Sequence, residues 1–385
     1  MNDAAVVGRV LREYHARGTD PAALCRVGGS VHAATVTYLV RPDGVPAWVV
    51  RACREDAPVP VHLVATGVPT MLDWLLSQAG TLDCLEVRGY PAPRVIRTRA
   101  GDSVGMDGIW LTLATTFVEG PLIRPSLAQL RMLGAALGRL HALDVAGVPG
   151  REVAGGPGYG VAGGEGREVA GGAGREVAGG PGRASWYPEE AIPATLARLD
   201  AVEALVPDGW REMYAQLRRS TVAVQDGLGA LPRGVVHGDA WPGTVVQSGA
   251  DTVTLIDWET GGLGLPVLDL GNCLIESLLD SEPSADESGA AAWLVEPDED
   301  RVAAVAGGYA SQRQLCDAEL ALLAEAIRFG SCYVGAIHLY QALAEGVSGR
   351  SMDVRMERLR NRVAVSEPVA RLASPHLAGG AETVR

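Results

Sequence analysis

The chain contains no lysine, so all 33 of its basic residues are arginine. Any cationic role toward phosphate that a lysine could fill therefore falls to an arginine. Phenylalanine, with 2 copies, and asparagine are also scarce, a pattern that codon bias in a GC-rich genome produces. The six cysteines (Cys25, Cys53, Cys84, Cys273, Cys316 and Cys332) form no CxxC pair. They read as small core residues of a protein in a reducing compartment. No apolar run approaches the ~18 residues of a membrane span. The opening MNDAAVVGRVLREYHARG is charged and helix-patterned, unlike a signal peptide. The expectation is a soluble, cytoplasmic protein with no membrane partner. A net charge of −13 and a pI of about 5.1 argue against a nucleic-acid or anionic-membrane binder. They leave a nucleotide open and mildly favour a cationic substrate.

With 385 residues, 47% of them hydrophobic, the chain is long enough for two lobes with sizeable cores. Its most informative stretch runs from His237 to Glu259 and reads HGDAWPGTVV…VTLIDWE. It carries two aspartates, Asp239 and Asp257, 18 positions apart. Asp239 lies in a turn-rich loop with Gly238, Pro242 and Gly243. Asp257 ends the strand-like run Val253–Ile256. A turn at Ser248-Gly249-Ala250-Asp251 would join two β-segments and bring both carboxylates to one end of a small sheet. That suits phosphoryl transfer, in which one carboxylate accepts the proton of an attacking hydroxyl and the other holds Mg²⁺ against the phosphates. The competing reading is a hairpin with two solvated carboxylates.

The coupled motifs resemble those of the aminoglycoside phosphotransferase and choline kinase-like family of small-molecule kinases, whose loop reads HGDxxxxN and whose strand ends IDxE. The resemblance implies Asp239 as catalytic base and Asp257 as metal ligand. It covers roughly residues 25–345 and is most specific over 234–271. One position departs: Thr244 stands where the family has a second metal-ligating Asn. Thr is shorter by one bond, and Mg²⁺ tolerates little error around ~2.0–2.1 Å, so the second ion would be held through water or lost.

Other segments follow the same pattern. Gly28, Gly29 and Ser30 precede a strand at Ala33–Val40 and resemble a nucleotide loop, although a hairpin tip is the ordinary reading of Gly-Gly. After the turn at Arg41–Gly44, the strand Ala47–Ala52 carries Arg51. That residue resembles the family's phosphate clamp and is alternatively a solvent-facing strand arginine. A helix is expected over Thr70–Arg88, ending at Gly89. Gln78 falls where the family has a Glu paired to the clamp, with Asp73 and Glu86 as alternatives. The strand Ile109–Phe117 leads to Phe117 and Val118, which resemble the hinge that meets adenine. Ser126 and Gln129 form a capping box, and the following helix carries Leu130, Leu133, Leu137 and Leu140 on one stripe. His141 at its end and Asp269 read as structural residues. Residues 151–182 are four Gly-rich octads, a surface-loop insertion with too little apolar content to bury. Residues 1–18 suggest an amphipathic helix. Arg301–Leu343 and Met352–Leu372 suggest further helices.

The sequence therefore predicts an α+β, bilobal protein-kinase-like fold. The N-lobe (1–118) is an antiparallel sheet with one helix. The C-lobe (119–375) is mostly helical and holds the octad insert, and a tail spans 376–385. The implied activity is ATP- and Mg²⁺-dependent transfer of a γ-phosphate to the hydroxyl of a small molecule or of a Ser/Thr peptide. The small molecule would be aminoglycoside-like or another alcohol, and a cationic one would meet Asp280, Glu282, Asp298 or Asp300. The alternative, motivated by Thr244 and Gln78, is a pseudokinase that keeps the fold as a binding or scaffold protein.

Overall fold

A computed structural model of the protein describes residues 14, 24–29, 35–41, 47–57, 59, 70–144, 191–278, 296–348 and 350–378. The octads, residues 1–13, Ser30, Asp280 and Glu282 lie outside these. The first half builds an antiparallel sheet from β1 (Leu24–Gly29), β2 (Thr35–Val40), β3 (Trp48–Arg54), β4 (Val95–Ile96), β5 (Val104–Asp107) and β6 (Trp110–Thr116). The strand order is β1-β2-β3-β6-β4, with β5 also pairing β6. Gly28 and Gly29, expected in a loop, end β1 and pair with Thr37 and Val36 of β2, after a register shift between Arg26 and Gly28. The strand was hidden because Leu24–Gly29 is short, and the Gly-Gly pair reads locally as a turn.

Alternation along β3 sets the faces of this sheet. Val50 and Ala52 point to one side, into a cluster with Tyr14, Val36, Tyr38, Val40 and Ala114. Tyr14 is fully buried there. Its hydroxyl donates to the Thr112 carbonyl at 2.7 Å and accepts from the Gly105 N–H at 2.7 Å. Cys53, and with it Arg51, takes the opposite face, where Leu111 and Leu113 meet α1 (Met71–Val87) through Met71, Trp74, Leu75 and Ala79. Thr70 caps α1 by accepting the Asp73 N–H at 3.1 Å, and the helix gives way at Gly89, as the sequence predicts. Period-2 geometry thus aims the one cation of mid-β3 at α1.

The second half is helical: α2 (Leu127–His141), α3 (Ala191–Val202), α4 (Arg211–Gly227), α5 (Pro266–Glu276), α6 (Glu299–Ala310), α7 (Asp317–Ala321), α8 (Leu323–Leu343) and α9 (Arg350–Leu377). Leu130, Leu133, Leu137 and Leu140 of α2 are all fully buried in its core. Ser126 accepts the Gln129 N–H at 3.4 Å, but the capping box is only half made. Gln129 takes the Ser126 hydroxyl proton and donates to Gln247 at 2.8 Å instead. Helices α2 and α6 cross at backbone contact. A Cβ on Gly134 would lie 2.1 Å from the Val305 carbonyl, and one on Gly308 2.1 Å from that of Arg131. Helix α9 extends to Leu377, past residue 375 where the tail was expected, because Leu377 is itself buried. None of the described helices is long and apolar enough to cross a membrane.

Two small antiparallel pairs lie between these parts: β7 (Gly234–Val236) with β10 (Gly262–Gly264), and β8 (Val245–Gly249) with β9 (Thr252–Leu255).

Candidate active site

The loop between β7 and β8 carries Asp239, and its shape is set by neighbours on three elements. Gly238 has φ +85°, and a Cβ there would lie 2.5 Å from the Thr260 carbonyl, so the turn requires glycine. Asp269 of α5, fully buried, accepts the N–H groups of His237 at 2.7 Å and Gly238 at 3.0 Å. It also accepts from His141 Nε2 at 3.1 Å. His141 Nδ1 is then the acceptor for the Tyr309 hydroxyl at 3.0 Å, and that oxygen accepts from Arg313 at 2.8 Å. Burial pushes the His141 pKa down and opposes the Asp269 contact, which suits the structural role expected of it. His237 is likewise lowered by burial. Its Nε2 donates to the Ile256 carbonyl at 2.8 Å, while Nδ1 accepts the Asp239 N–H at 3.3 Å. Both histidines shape the loop rather than present a proton to the cleft.

Thr244 closes the loop. Its hydroxyl donates to the Asp239 carbonyl at 2.8 Å, with the Trp241 carbonyl 3.1 Å away, and accepts the Trp241 N–H at 3.2 Å. A single hydroxyl hydrogen is thereby committed to the backbone. In the β8–β9 hairpin Val245 faces Leu255, and the Ile256 N–H donates to the Thr244 carbonyl at 2.9 Å. The turn at 248–251 joins β8 to β9 as the sequence predicts, and the open end of the hairpin holds Thr244 and Asp257 at the ends of its two strands. Asp257 has φ 65° and ψ 55°, and is the one non-glycine residue with positive φ among the described residues. Such left-handed strain concentrates where a side chain must be aimed.

Arg51 reaches this end from the sheet. Its guanidinium donates to Gln78 Oε1 at 2.7 Å and to Asp257 Oδ1 at 2.8 Å, and lies 3.1 Å from a Glu259 oxygen. It stacks over Trp74 at 5.7 Å, and the Trp74 indole donates to the Glu259 carbonyl at 2.9 Å. Burial works against the Arg51 charge, but Glu259 and Asp257 outweigh it and hold its pKa above the usual value. Arg51 is thus not a solvent-facing residue: its side chain is 15% exposed and turned to Gln78, Asp257 and Glu259. Gln78 does hydrogen-bond Arg51, while the ion-pair partners come from the loop after β9. Asp73 instead takes the Thr70 hydroxyl at 2.7 Å, and Glu86 lies 3.4 Å from Arg94.

The Asp239 carboxyl is pushed up to about 8, first by burial and then by the negative charges of Asp257 and Glu259, against the hydrogen bond from Trp241. Glu259 is also raised, by burial and by Asp257, with Arg51 pulling the other way. Three carboxylates thus share one end of the cleft. Glu259 belongs to the IDWE motif. Only the fold reveals that it shares Arg51 with Asp257. Phe117 and Val118 follow β6 directly, and the Phe117 N–H donates to the Ala47 carbonyl at 2.9 Å. Gly28 and Gly29 sit at the end of β1. Asp298 is taken up as the cap of α6, accepting the Arg301 N–H at 3.0 Å, and Asp300 lies in that helix's exposed first turn. A cavity of about 430 Å³ between α3 and α8 is lined by residues such as Arg198 and Tyr340 and includes none of the site residues above.

A sheet capped by one helix, a helical half, and a loop–hairpin unit with two apposed aspartates define a kinase-like small-molecule phosphotransferase fold. The chain belongs to the phosphotransferase enzyme family (APH), whose family model matches residues 31–305. A homoserine kinase of Acidiphilium cryptum (strain JF-5) is 27% identical over 272 residues, covering 65% of this chain and 64% of that protein. The chain thus spans slightly less than two thirds of the length of that relative. Among solved structures, the amicoumacin kinase in complex with AMP-PNP, Ca²⁺ and Ami aligns with a TM-score of 0.61 at 14% identity, over 96% of this chain and 95% of that one. A microcompartment-associated aminopropanol kinase aligns with a TM-score of 0.57 at 18% identity, over 97% and 99%. A choline/ethanolamine kinase family protein from Mesorhizobium loti gives 0.56 at 14% identity, over 99% and 100%. At these identities the structural likeness speaks for the fold.

Proposed function

We propose that the protein is an ATP- and Mg²⁺-dependent kinase that phosphorylates the hydroxyl of a small molecule. The observation that carries this is the convergence of Asp239, Asp257, Glu259 and Arg51 at one end of the β8–β9 hairpin. A base is buried, two further carboxylates stand beside it, and one guanidinium reaches them from the sheet. The donor set fits the metal, because Mg²⁺ is characteristically held by one or two carboxylates together with substrate phosphates. Asp257 and Glu259 would hold it, with Thr244 contributing through water, since its hydroxyl hydrogen is committed to the Asp239 carbonyl. When bound, the ion neutralises charge developing on the transferred phosphoryl group.

The chain's own residues do the rest. Arg51 exchanges its carboxylate partners for phosphate oxygens, which a guanidinium fork grips in two places. Gln78 and Trp74 keep it aimed during the exchange. Phe117 and Val118 supply the hinge for the adenine, and the end of β1 at Gly28-Gly29, with Ser30 beyond, covers the phosphates. Asp239 accepts the acceptor hydroxyl's proton. Its raised pKa makes it a stronger base than an ordinary carboxylate, and offsetting the charges of Asp257 and Glu259 lowers that pKa toward the working range. Most of the catalysis is positioning and electrostatics. The homoserine and aminopropanol kinases act, by their names, on compact alcohols, and a small acceptor of that kind is favoured here over a Ser/Thr peptide. The protein would act in the cytoplasm, and neither nucleic acid nor membrane is a partner.

Calorimetric titration of ATP with and without Mg²⁺, on wild type and Asp257→Ala, tests the reading. Mg²⁺-dependent binding that Asp257→Ala abolishes is expected. No nucleotide binding by the folded wild type would refute it. The scaffold alternative rests on Thr244, and Thr244→Asn separates the two. Activity in the wild type, or a large gain in the variant, identifies an enzyme, whereas nucleotide binding without turnover in either identifies a scaffold.

A further inference from the structure

Arg51 divides its donors between two parts of the fold. Nη1 donates to Gln78 Oε1 on α1 at 2.7 Å. Nη2 stands 2.8 Å from Asp257 Oδ1 and 3.1 Å from Glu259 Oε2, so one nitrogen bridges the two carboxylates. The helix offers the guanidinium no negative charge. Its contacts from α1 are the Gln78 amide and the Trp74 ring. The acidic residues of α1 turn elsewhere: Asp73 takes the Thr70 hydroxyl, Asp83 pairs with Arg97, and Glu86 lies near Arg94. Gln78 is buried, and its Nε2 has no hydrogen-bond partner among the described residues. A carboxylate at position 78 would strand no donor and would neutralise Arg51 from the α1 side. With an amide there, the Arg51 charge falls on Asp257 and Glu259, the pair that would hold Mg²⁺. Their side chains are 44% and 33% exposed, so an ion can reach them from solvent. What an arriving ion meets is a pair of negative charges already shared with a cation.

We propose that Arg51, left without a carboxylate on the α1 side by Gln78, gates the metal position: Asp257 and Glu259 bind a divalent cation tightly only once the phosphates of a nucleotide draw Arg51 away. The assignment rests on the kinase reading above and adds the order in which its ligands enter. A guanidinium and a divalent cation compete for the same two carboxylates and repel each other. Phosphate oxygens satisfy the guanidinium fork in two places, which frees both carboxylates at once. Metal and nucleotide then bind as a coupled pair, each raising the affinity for the other by the same factor. The nucleotide-free protein takes up little free Mg²⁺, although three carboxylates stand at that end of the cleft.

The test is Mn²⁺ binding to the nucleotide-free protein, read as loss of the free-ion electron paramagnetic resonance signal, beside calorimetric titration of Mg²⁺–ATP. Arg51→Gln removes the competing charge. It should tighten nucleotide-free Mn²⁺ binding by about ten- to a hundredfold, the range of one charge-assisted hydrogen-bonded pair, while weakening Mg²⁺–ATP. A residue that merely supports the fold would not move the two affinities in opposite directions. Gln78→Glu gives Arg51 a carboxylate of its own and should tighten nucleotide-free Mn²⁺ binding by about tenfold. Adding Asp257→Ala to either variant should remove the gain, which assigns the ion to the hairpin end. The proposal is overturned if either variant, folded by circular dichroism, binds nucleotide-free Mn²⁺ no more tightly than wild type. A gain that survives Asp257→Ala overturns it as well. In both cases Mg²⁺–ATP binding by the wild type leaves the kinase reading in place. Absent Mg²⁺–ATP binding by the folded wild type removes the kinase reading and this proposal with it.

Discussion

Replacing Asp239 by asparagine should abolish turnover and at the same time stabilise the protein. Asp239 is pushed from 3.8 up to about 8 by burial and by the charges of Asp257 and Glu259. In the unfolded chain the same carboxyl loses its proton near its ordinary value. Between those two pH values the folded state holds more protons than the unfolded state, so stability falls as pH rises through that window and levels off above about 8. At ~1.4 kcal/mol per unit, the cost at pH 8 is on the order of 5 kcal/mol as a ceiling, and a few kcal/mol once solvent in the cleft relaxes. Asparagine has nearly the same shape and carries no charge. With ~2.1 cal/mol/K of unfolding entropy per residue, recovering a few kcal/mol in a chain of this length raises Tm by roughly 3–6 °C. Thermal melts of Asp239→Asn and wild type without Mg²⁺, at pH 5 and pH 8, provide the assay. The variant should gain at pH 8 and little at pH 5. A variant no more stable than wild type at pH 8, or the same gain at both pH values, would refute the claim that Asp239 sits in repulsion.

Three further outcomes follow from the same geometry. Arg51→Ala should weaken Mg²⁺–ATP binding by at least about tenfold, the scale of a lost charge-assisted contact. Unchanged affinity in calorimetry would return Arg51 to a purely structural role. Thr244→Val removes the hydroxyl that staples Asp239 and Trp241 and should cost about 1–2 kcal/mol in urea unfolding. If the cation were bound directly by that hydroxyl, the variant would also lose Mg²⁺ affinity tenfold or more, whereas a staple predicts a small change. Asp269→Ala leaves the His237 and Gly238 N–H groups and His141 Nε2 without their acceptor in a dry core. It should cost on the order of 3–5 kcal/mol and most of the activity. Denaturant unfolding coupled to turnover checks both.

Much of this was legible because it is local. The helix from Thr70 to Gly89, the leucine stripe of α2 and the turn at 248–251 each depend on residues a few positions apart, so their spacing alone announces them. The Asp239/Asp257 pair was readable for the same reason, since one hairpin joins them. Strand β1 was not readable, because its pairing with β2 outweighs the turn preference of Gly28-Gly29. Asp298 looked like a free acidic group, yet a helix start claims it.

The sequence by itself determined which residue is proposed as the base, the turn-rich loop around it, the hairpin that ends at Asp257, and the choice of arginine for every cationic role. Tertiary structure decided what those groups face. Alternation in β3 aims Arg51 at α1, but only the packing of the sheet against the loop after β9 pairs it with Asp257 and Glu259. Local spacing carries backbone preference over a few residues, whereas the electrostatic partners of a buried charge come from distant chain segments, 206 positions apart for Arg51 and Asp257.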